Sequence, residues 1–250
     1  MFAALRVIIN NIVSQKKFSL DPKRMPRHIA IILDGNRRWA KTKGLSVNEG
    51  HQAGARNIEQ IVDECKFLGI RYLTVYALST ENWRKRAKKE VEGIFDLIVE
   101  MFRRKKEEYR KGGVRVVVLG NFQAFPRRVK RTIESMLSLV LDHERIKFNM
   151  ALNYGGRDEI VRAVQKIIKE GIPADKVTEK VISDRLYTNG QPDPDLIIRT
   201  GGELRLSNFL LWQMSYSELY FTNTFWPAFN RRELHKAIAE YQKRQRRYGK

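Results

Sequence analysis

The sequence predicts an α/β fold: a single domain on a mostly parallel six-stranded central sheet flanked by helices, Rossmann-like in its layering. Three observations carry this. Short β-branched runs alternate with helical stretches along the chain. The runs are near-continuously apolar, which suits strands covered on both faces. No internal repeat, low-complexity tract or Pro/Gly-rich linker divides the 250 residues, a length that fills one large α/β domain. Such alternation implies right-handed crossovers between parallel strands.

The strands are expected at 28–33, 72–78, 114–119, 147–152 and 196–199, with a shorter one at 218–221. Helical patterns fall at about 49–68, 88–111, 126–141, 156–170, 178–187 and 231–247. Ahead of them, residues 2–13 are apolar but interrupted by Arg6, Asn10 and Asn11, with no small-residue cleavage site. That stretch reads as a short amphipathic helix, packing on the domain or touching a membrane, rather than a signal peptide. A basic linker follows, so the chain divides into 1–23, leader and linker, and 24–250, the main domain.

Forty-eight Lys and Arg stand against 28 Asp and Glu, a formal charge of +20. Such a field draws phosphorylated substrates, polyanions or anionic lipid surfaces. No apolar run reaches the roughly 20 residues that span a bilayer, so the chain reads as cytoplasmic, with peripheral membrane contact left open. Cys65 is the single cysteine and lies in a helical apolar pattern with Ile61, Val62 and Leu68. A small buried hydrophobe is the expectation there.

Ligands of open α/β sheets bind beyond the carboxyl ends of the strands, and four polar clusters fall there. The first is Asp34-Gly35-Asn36-Arg37-Arg38-Trp39. A carboxylate, a glycine turn into a helix and an arginine suit a diphosphate with Mg²⁺; an Asp-Gly turn explains the same letters. Gly50-His51 opens the next helix, where His51 donates to a phosphate or caps. The second is Ser79-Thr80-Glu81-Asn82-Trp83 followed by Arg84-Lys85-Arg86. It can orient a diphosphate and wall an apolar tail, or be an N-cap series with a surface Trp. The third, Asn153-Tyr154-Gly155-Gly156-Arg157, allows close backbone approach, for which structural use is the simpler reading.

The fourth is the strongest. Arg199-Thr200-Gly201-Gly202-Glu203, then Arg205, Ser207 and Asn208, places two arginines and a serine around a Gly-Gly turn, suited to charge-assisted grip on a diphosphate. Glu203 is the carboxylate that would otherwise pair with these arginines. Glu218, ten residues beyond Asn208, is a second candidate Mg²⁺ ligand.

In this order the clusters resemble the successive motifs of cis-prenyltransferases of the undecaprenyl diphosphate synthase type. Trp212-Gln213, Ser217-Glu218-Leu219-Tyr220-Phe221 and Phe225-Trp226-Pro227 extend the likeness, from about residue 24 to the C-terminus. The resemblance implies that units of isopentenyl diphosphate are condensed onto an allylic primer, farnesyl or geranylgeranyl diphosphate, forming Z double bonds and a long polyprenyl diphosphate. It implies Asp34 as the catalytic carboxylate that binds Mg²⁺, with Glu218 completing the metal site. The backbone of Gly35, Asn36 and Arg37, with the side chains of Arg38 and His51, would hold the allylic diphosphate. Arg199, Arg205 and Ser207 would hold that of isopentenyl diphosphate. Asn82, with Ser79, would lie near the reacting carbons, and Trp83 would shape the site, which also includes Trp39, Thr80, Glu81 and Lys85. Family members pair as homodimers or heterodimers, a homodimer being expected here. Their Arg-x-Gly tail, matched by Arg247-Tyr248-Gly249, reaches a partner's active site.

Two departures stand out. Val47 replaces a cation usual before the Gly-His pair, and Lys85-Arg86 stands where an Arg-Pro pair is usual, so Lys85 keeps charge without a bidentate fork. A growing apolar product needs a tunnel, and Val91, Ile94, Phe95, Ile98 and Phe102 offer a wall at helical spacing, although core packing gives the same stripe. No Asp-Asp pair exists, which excludes the Asp-rich all-α trans-prenyltransferases, and no P-loop is present. The basic C-terminal helix would suit nucleic-acid phosphates, but no recognition motif accompanies it and no specific nucleic acid is expected. A catalytically silent partner subunit would be expected to lose Asp34, Arg38, Arg199, Arg205 and Glu218, all of which are present.

Overall fold

A computed structural model describes residues 18–244. The leader helix expected at 2–13 and the Arg247–Gly249 tail lie outside the described residues.

Six strands form one sheet: β1 (His28–Ile32), β2 (Tyr72–Ser79), β3 (Val114–Leu119), β4 (Ile146–Tyr154), β5 (Leu196–Arg199) and β6 (Glu218–Phe221). All pairings are parallel, in the order β3-β4-β2-β1-β5-β6. β1 and β5, both interior strands, are buried along their whole length. Their side chains alternate between two cores, as the pleat requires. Ile29 and Ile31 point into the larger core, while Ala30 and Ile32 point into the smaller one.

Eight helices accompany the sheet among the described residues: α1 (Asn36–Thr42), α2 (Val47–Phe67), α3 (Thr80–Lys85), α4 (Lys88–Gly112), α5 (Arg127–Leu137), α6 (Gly156–Lys169), α7 (Glu179–Ser183) and α8 (Arg231–Lys243). The larger core joins α2, α4, α5 and α8 to one sheet face. On the other face Tyr76 and Tyr154 pack against Phe209 and Leu210. Cys65 is fully buried, and burial raises its thiol pKa well above the ordinary value. Residues 18–25 are tied to α8: Asp21 N–H donates to Gln242 Oε1 (3.0 Å) and Gln242 Nε2 donates back to the Asp21 carbonyl (2.8 Å).

The differences from expectation are local. Asn153 and Tyr154 belong to the end of β4 rather than to a loop. Two short helices, α1 and α3, begin directly after β1 and β2, each set by its cap: Gly35 for α1 and the Ser79 side chain for α3.

One buried group gives the sheet a pH dependence. His28, fully buried at the start of β1, lies 2.7 Å through Nδ1 from the Pro192 carbonyl and 2.7 Å through Nε2 from Thr74 Oγ1. Desolvation holds its pKa down to about 4, from an ordinary 6.5. The imidazole is thus neutral in the native state, while the unfolded chain takes up a proton below about pH 6.5. Stability is therefore expected to fall between pH 6.5 and 4, by roughly 3 kcal/mol from this group. Urea unfolding at pH 7 and pH 5 checks this, and His28→Gln should flatten the slope.

Candidate active site

The chain leaves β1 toward β2 on one side, while β5 and β6 lie on the other. The crevice beyond the carboxyl ends of β1 and β5 is therefore the topological switch point, where ligands of open α/β sheets bind. Asp34 follows β1, and Arg199 ends β5.

The Asp34 carboxylate lies between two guanidinium groups. Arg38 Nη2 donates to Oδ1 and Arg199 Nη2 donates to Oδ2, each at 2.9 Å. Thr200 fixes the backbone beneath, accepting from Asp34 N–H (3.0 Å) and donating to the Asp34 carbonyl (2.7 Å). The turn into α1 requires Gly35. Its φ is +110°, and an added Cβ would stand 2.7 Å from Phe225 Cδ1.

Arg199 is 4% exposed. Its Nη1 donates to Ser207 Oγ (2.8 Å) and to the Arg205 carbonyl. The segment carrying Ser207 is strained: Ser207, Asn208 and Leu210 all have positive φ, at 49°, 66° and 45°. Asn208 holds it in place, donating to Glu81 Oε1 (2.9 Å) and accepting from the Arg157 and Gly156 amides (2.9 and 2.7 Å). Gly155 and Gly156 permit that approach, since a Cβ on them would meet Asn208 and Leu211 at 2.8 Å. The structural reading of the third cluster thus holds. Beneath it, buried Glu159 accepts from Tyr154 Oη (2.5 Å) and Gln213 Nε2 (3.1 Å). Arg205 is more exposed and pairs with Glu203, which also lies 3.6 Å from Arg38.

His51, on α2, is 9% exposed, and its Nε2 lies 3.1 Å from Glu90 Oε1. Desolvation lowers its pKa, against the opposing effect of the Glu90 hydrogen bond. Arg86 Nη1 reaches the same Glu90 oxygen at 3.2 Å. A hollow of about 300 Å³ is enclosed by Asp34, Asn36, Arg37, Arg38, His51 and Arg86. Arg86 therefore supplies a guanidinium one position beyond Lys85.

Beside it opens a cavity of about 780 Å³. Its polar mouth includes Asp34, Glu81, Asn82, Arg199, Arg205 and Ser207, with Ser79 and Lys85 at the rim. Its walls then turn apolar: Ile58, Ile94, Leu97, Ile98, Met101 and Met150. Of the expected wall residues, Ile94 and Ile98 are in place. Val91, Phe95 and Phe102 are buried in the larger core and do not line the cavity, because they lie on a different face of α4.

Three expected site residues stand elsewhere. Trp83 stacks on Phe125 (centroids 4.6 Å apart) and packs edge-on against Phe95, in contact with the core rather than lining the cavity. Trp39 and Thr80 line neither space. Glu218 stands apart from Asp34 within the chain. It pairs in register with Leu196 at the amino end of β5, whereas Asp34 lies past the carboxyl end of β1. Three strand steps separate Leu196 from Arg199, about 10 Å. Within one chain Glu218 cannot share an ion with Asp34, and its carboxylate instead accepts from Arg244 (2.8 Å). Gly249 lies outside the described residues.

Among the described residues no group of three His, Cys, Asp or Glu is arranged to hold a metal. Mg²⁺, however, commonly binds through one or two carboxylates plus substrate phosphates. Asp34, set between the Arg38 and Arg199 guanidinium groups, fits that mode.

The prenyltransferase family model described as undecaprenyl diphosphate synthase matches residues 32–249. The chain belongs to the undecaprenyl diphosphate synthase family. It is 48% identical over 230 residues to an isoprenyl transferase of Clostridium perfringens, covering 90% of each chain. With an isoprenyl transferase of Heliobacterium mobile the identity is 48% over 234 residues, covering 92% of this chain and 90% of that one. Among solved structures, lavandulyl diphosphate synthase from Lavandula x intermedia, in complex with dimethylallyl diphosphate, superposes with a TM-score of 0.87 at 36% identity. That match covers 91% of this chain and all of the other. The prenyltransferase thus carries, at its switch point, the acid and arginine clusters read from its sequence. Glu90 and Leu97 had no visible signal. Asn208 stood in the quoted motif without a role.

Proposed function

We propose that this prenyltransferase joins isopentenyl diphosphate to an allylic diphosphate primer across the Asp34–Arg199 crevice, and elongates the product into the apolar arm of the cavity. The observation that carries this reading is the juxtaposition of two cationic pockets on either side of one carboxylate, opening onto an apolar space. Residues 24–250 are taken as the catalytic unit.

In this reading the smaller hollow takes the allylic diphosphate, held by Arg38, Arg86, His51 and the backbone amides from Gly35 to Arg37. Arg199, Arg205 and Ser207 take the diphosphate of isopentenyl diphosphate. Arg205 leaves Glu203 to do so, at little cost for an exposed pair. Asp34 would hold Mg²⁺ together with the substrate, and the ion would supply neutralisation of the charge on the departing diphosphate. As the allylic C–O bond breaks, Arg38 and Arg86 stabilise the charge gathering on the leaving oxygens. Arg199, clamped between Asp34 and Ser207, fixes the second substrate so that its alkene faces the allylic carbon. The alkene carbon forms the new bond as the diphosphate departs, and the C2 proton then passes to an oxygen of that released diphosphate, which leaves the new double bond. Ser79, Glu81 and Asn82 stand at the rim of that region.

The test is incorporation of labelled isopentenyl diphosphate into butanol-extractable product. It should require an allylic primer, and incorporation without primer would speak against the reading. If the apolar arm receives the chain, Ile98→Trp should shift products to shorter lengths with first-condensation rate within about threefold of the parent, a small change on the transition-state scale. An unchanged length distribution would remove Ile98 from the tunnel.

A homodimer belongs to the same proposal. Val161, Val164 and Ile168 lie at helical spacing on the outer side of α6, exposed by 55%, 42% and 72%. An apolar stripe of this kind is suited to a second copy. Sedimentation should give a dimer that dissociates in Val164→Glu/Ile168→Glu, and a parent that sediments as a monomer would contradict it.

A further inference from the structure

A second hollow, away from the catalytic crevice, lies between α4 and α5. It encloses about 310 Å³. Four cations converge on it, Arg103 and Lys106 from α4 with Arg128 and Arg131 from α5, and no acidic residue lines it. Its floor includes Phe102 and Met136, both nearly fully buried. Only one of the four cations is neutralised: Arg128 pairs with Glu92 (2.7 Å) and Asp96 (2.6 Å). Lys106 donates to Ser135 Oγ (2.8 Å), a neutral partner. Arg103 and Arg131 make no ion pair or hydrogen bond among the described residues. Glu100, Glu107 and Glu134, acids near these cations on the same helices, stay outside the hollow, and Glu107 pairs with Arg110 (3.0 Å).

Three uncompensated charges facing one concavity over an apolar floor repel one another in the free protein, and an anion that enters relieves this. The position adds a second argument. Met101 lines the apolar arm and Phe102 floors the hollow. Successive helical residues point about 100° apart, so α4 itself is the partition between the two spaces. From Ile94 to Met101 the helix rises about 10 Å, which places the hollow beside the part of the arm reached by the longest chains.

We infer that this hollow is an anionic-phospholipid site: it seats a lipid phosphate on Arg103, Lys106 and Arg131 and docks the far end of the tunnel on a negatively charged bilayer. Its use, release of a water-insoluble product at the membrane, rests on the function proposed above, but its binding chemistry does not. The same phosphate chemistry could come from a soluble ester, and the experiment separates the two sources.

Full-length protein is floated with phosphatidylcholine vesicles, with and without phosphatidylglycerol. The parent should bind only the anionic vesicles. Arg103→Glu/Arg131→Glu should bind them roughly thirtyfold more weakly or worse, since each basic residue near an anionic surface contributes several-fold. Arg232→Glu/Lys236→Glu, with the same charge change on the exposed side of α8, should lose less than about threefold by the same reasoning. Glycerol phosphate should not release the parent. Equal losses in the two variants would reduce the effect to net charge and overturn the site. So would a parent indifferent to phosphatidylglycerol, or full release by glycerol phosphate. Transfer to a farnesyl primer in detergent, measured alongside, should be unchanged in Arg103→Glu/Arg131→Glu, which also shows that the variant is folded. Absence of transfer in the parent would count against the proposed function and leave the vesicle result standing.

Discussion

Replacing Asp34 with alanine is expected to lower kcat roughly a thousandfold, as loss of a preorganised charge-stabilising group does elsewhere. The effect has two sources. The carboxylate accepts from both Arg38 and Arg199, and on the proposed reading its removal takes away the metal ligand. It also removes the counter-charge that orients Arg38 and Arg199. Asp34→Asn keeps the shape but only one acceptor, turns an N–H donor toward the other guanidinium and loses the charge, so it should be nearly as inactive. Rapid-quench measurement of the first condensation separates loss of chemistry from loss of binding, since kcat should fall far more than primer affinity. An Asp34→Ala enzyme within tenfold of the parent would show that the charge is not used.

Arg199→Met carries the second large effect. This guanidinium is almost fully buried and holds three groups at once: Asp34, Ser207 and the Arg205 carbonyl. Its loss should raise KM for isopentenyl diphosphate about a hundredfold, comparable to truncating one member of a buried charge pair. KM for the allylic primer should change much less, because that diphosphate is assigned to Arg38, Arg86 and His51. Stability should fall by about 2 kcal/mol. Loss of a well-formed buried pair would cost more, but Asp34 keeps Arg38 as a partner and is itself a quarter exposed. Arg199→Lys should recover charge but not the fork to Asp34 and Ser207 together. Steady-state kinetics with each substrate varied in turn, together with thermal melting, provide the check. Equal rises in the two KM values would contradict the division of the site.

The fold was legible because burial on both faces writes each central strand as an unbroken apolar run. HIAII and LIIR are nearly unmistakable, and β1 through β6 fall where those runs are. The short helices α1 and α3 left no such trace. Seven and six residues long, they have too little length for an apolar period and are set by a glycine turn and a serine cap. Within the site, residues adjacent along the chain were readable, as Asp34 with Arg38 and Arg199 with Ser207. Partners distant in sequence were not. His51 meets Glu90 across 39 positions, and Asn208 meets Glu81 across 127. The distance between Glu218 and Asp34 within the chain was hidden for a related reason. The place of Glu218 in a motif says nothing of strand register, and parallel pairing with Leu196 sets it at the other end of the sheet. Of the five apolar residues read along α4, two line the cavity, because a helical period marks which residues are apolar while the partner surface decides which of them face a cavity.

The configuration of the new double bonds separates this chemistry from every alternative. The parent enzyme, farnesyl diphosphate, carbon-13-labelled isopentenyl diphosphate and Mg²⁺ would be incubated and the dephosphorylated products resolved by NMR. Chains lengthened by repeated units are expected, each new double bond Z and the primer's original bonds unchanged. New E double bonds, or no elongation with geranyl, farnesyl or geranylgeranyl primers, would contradict the proposed function.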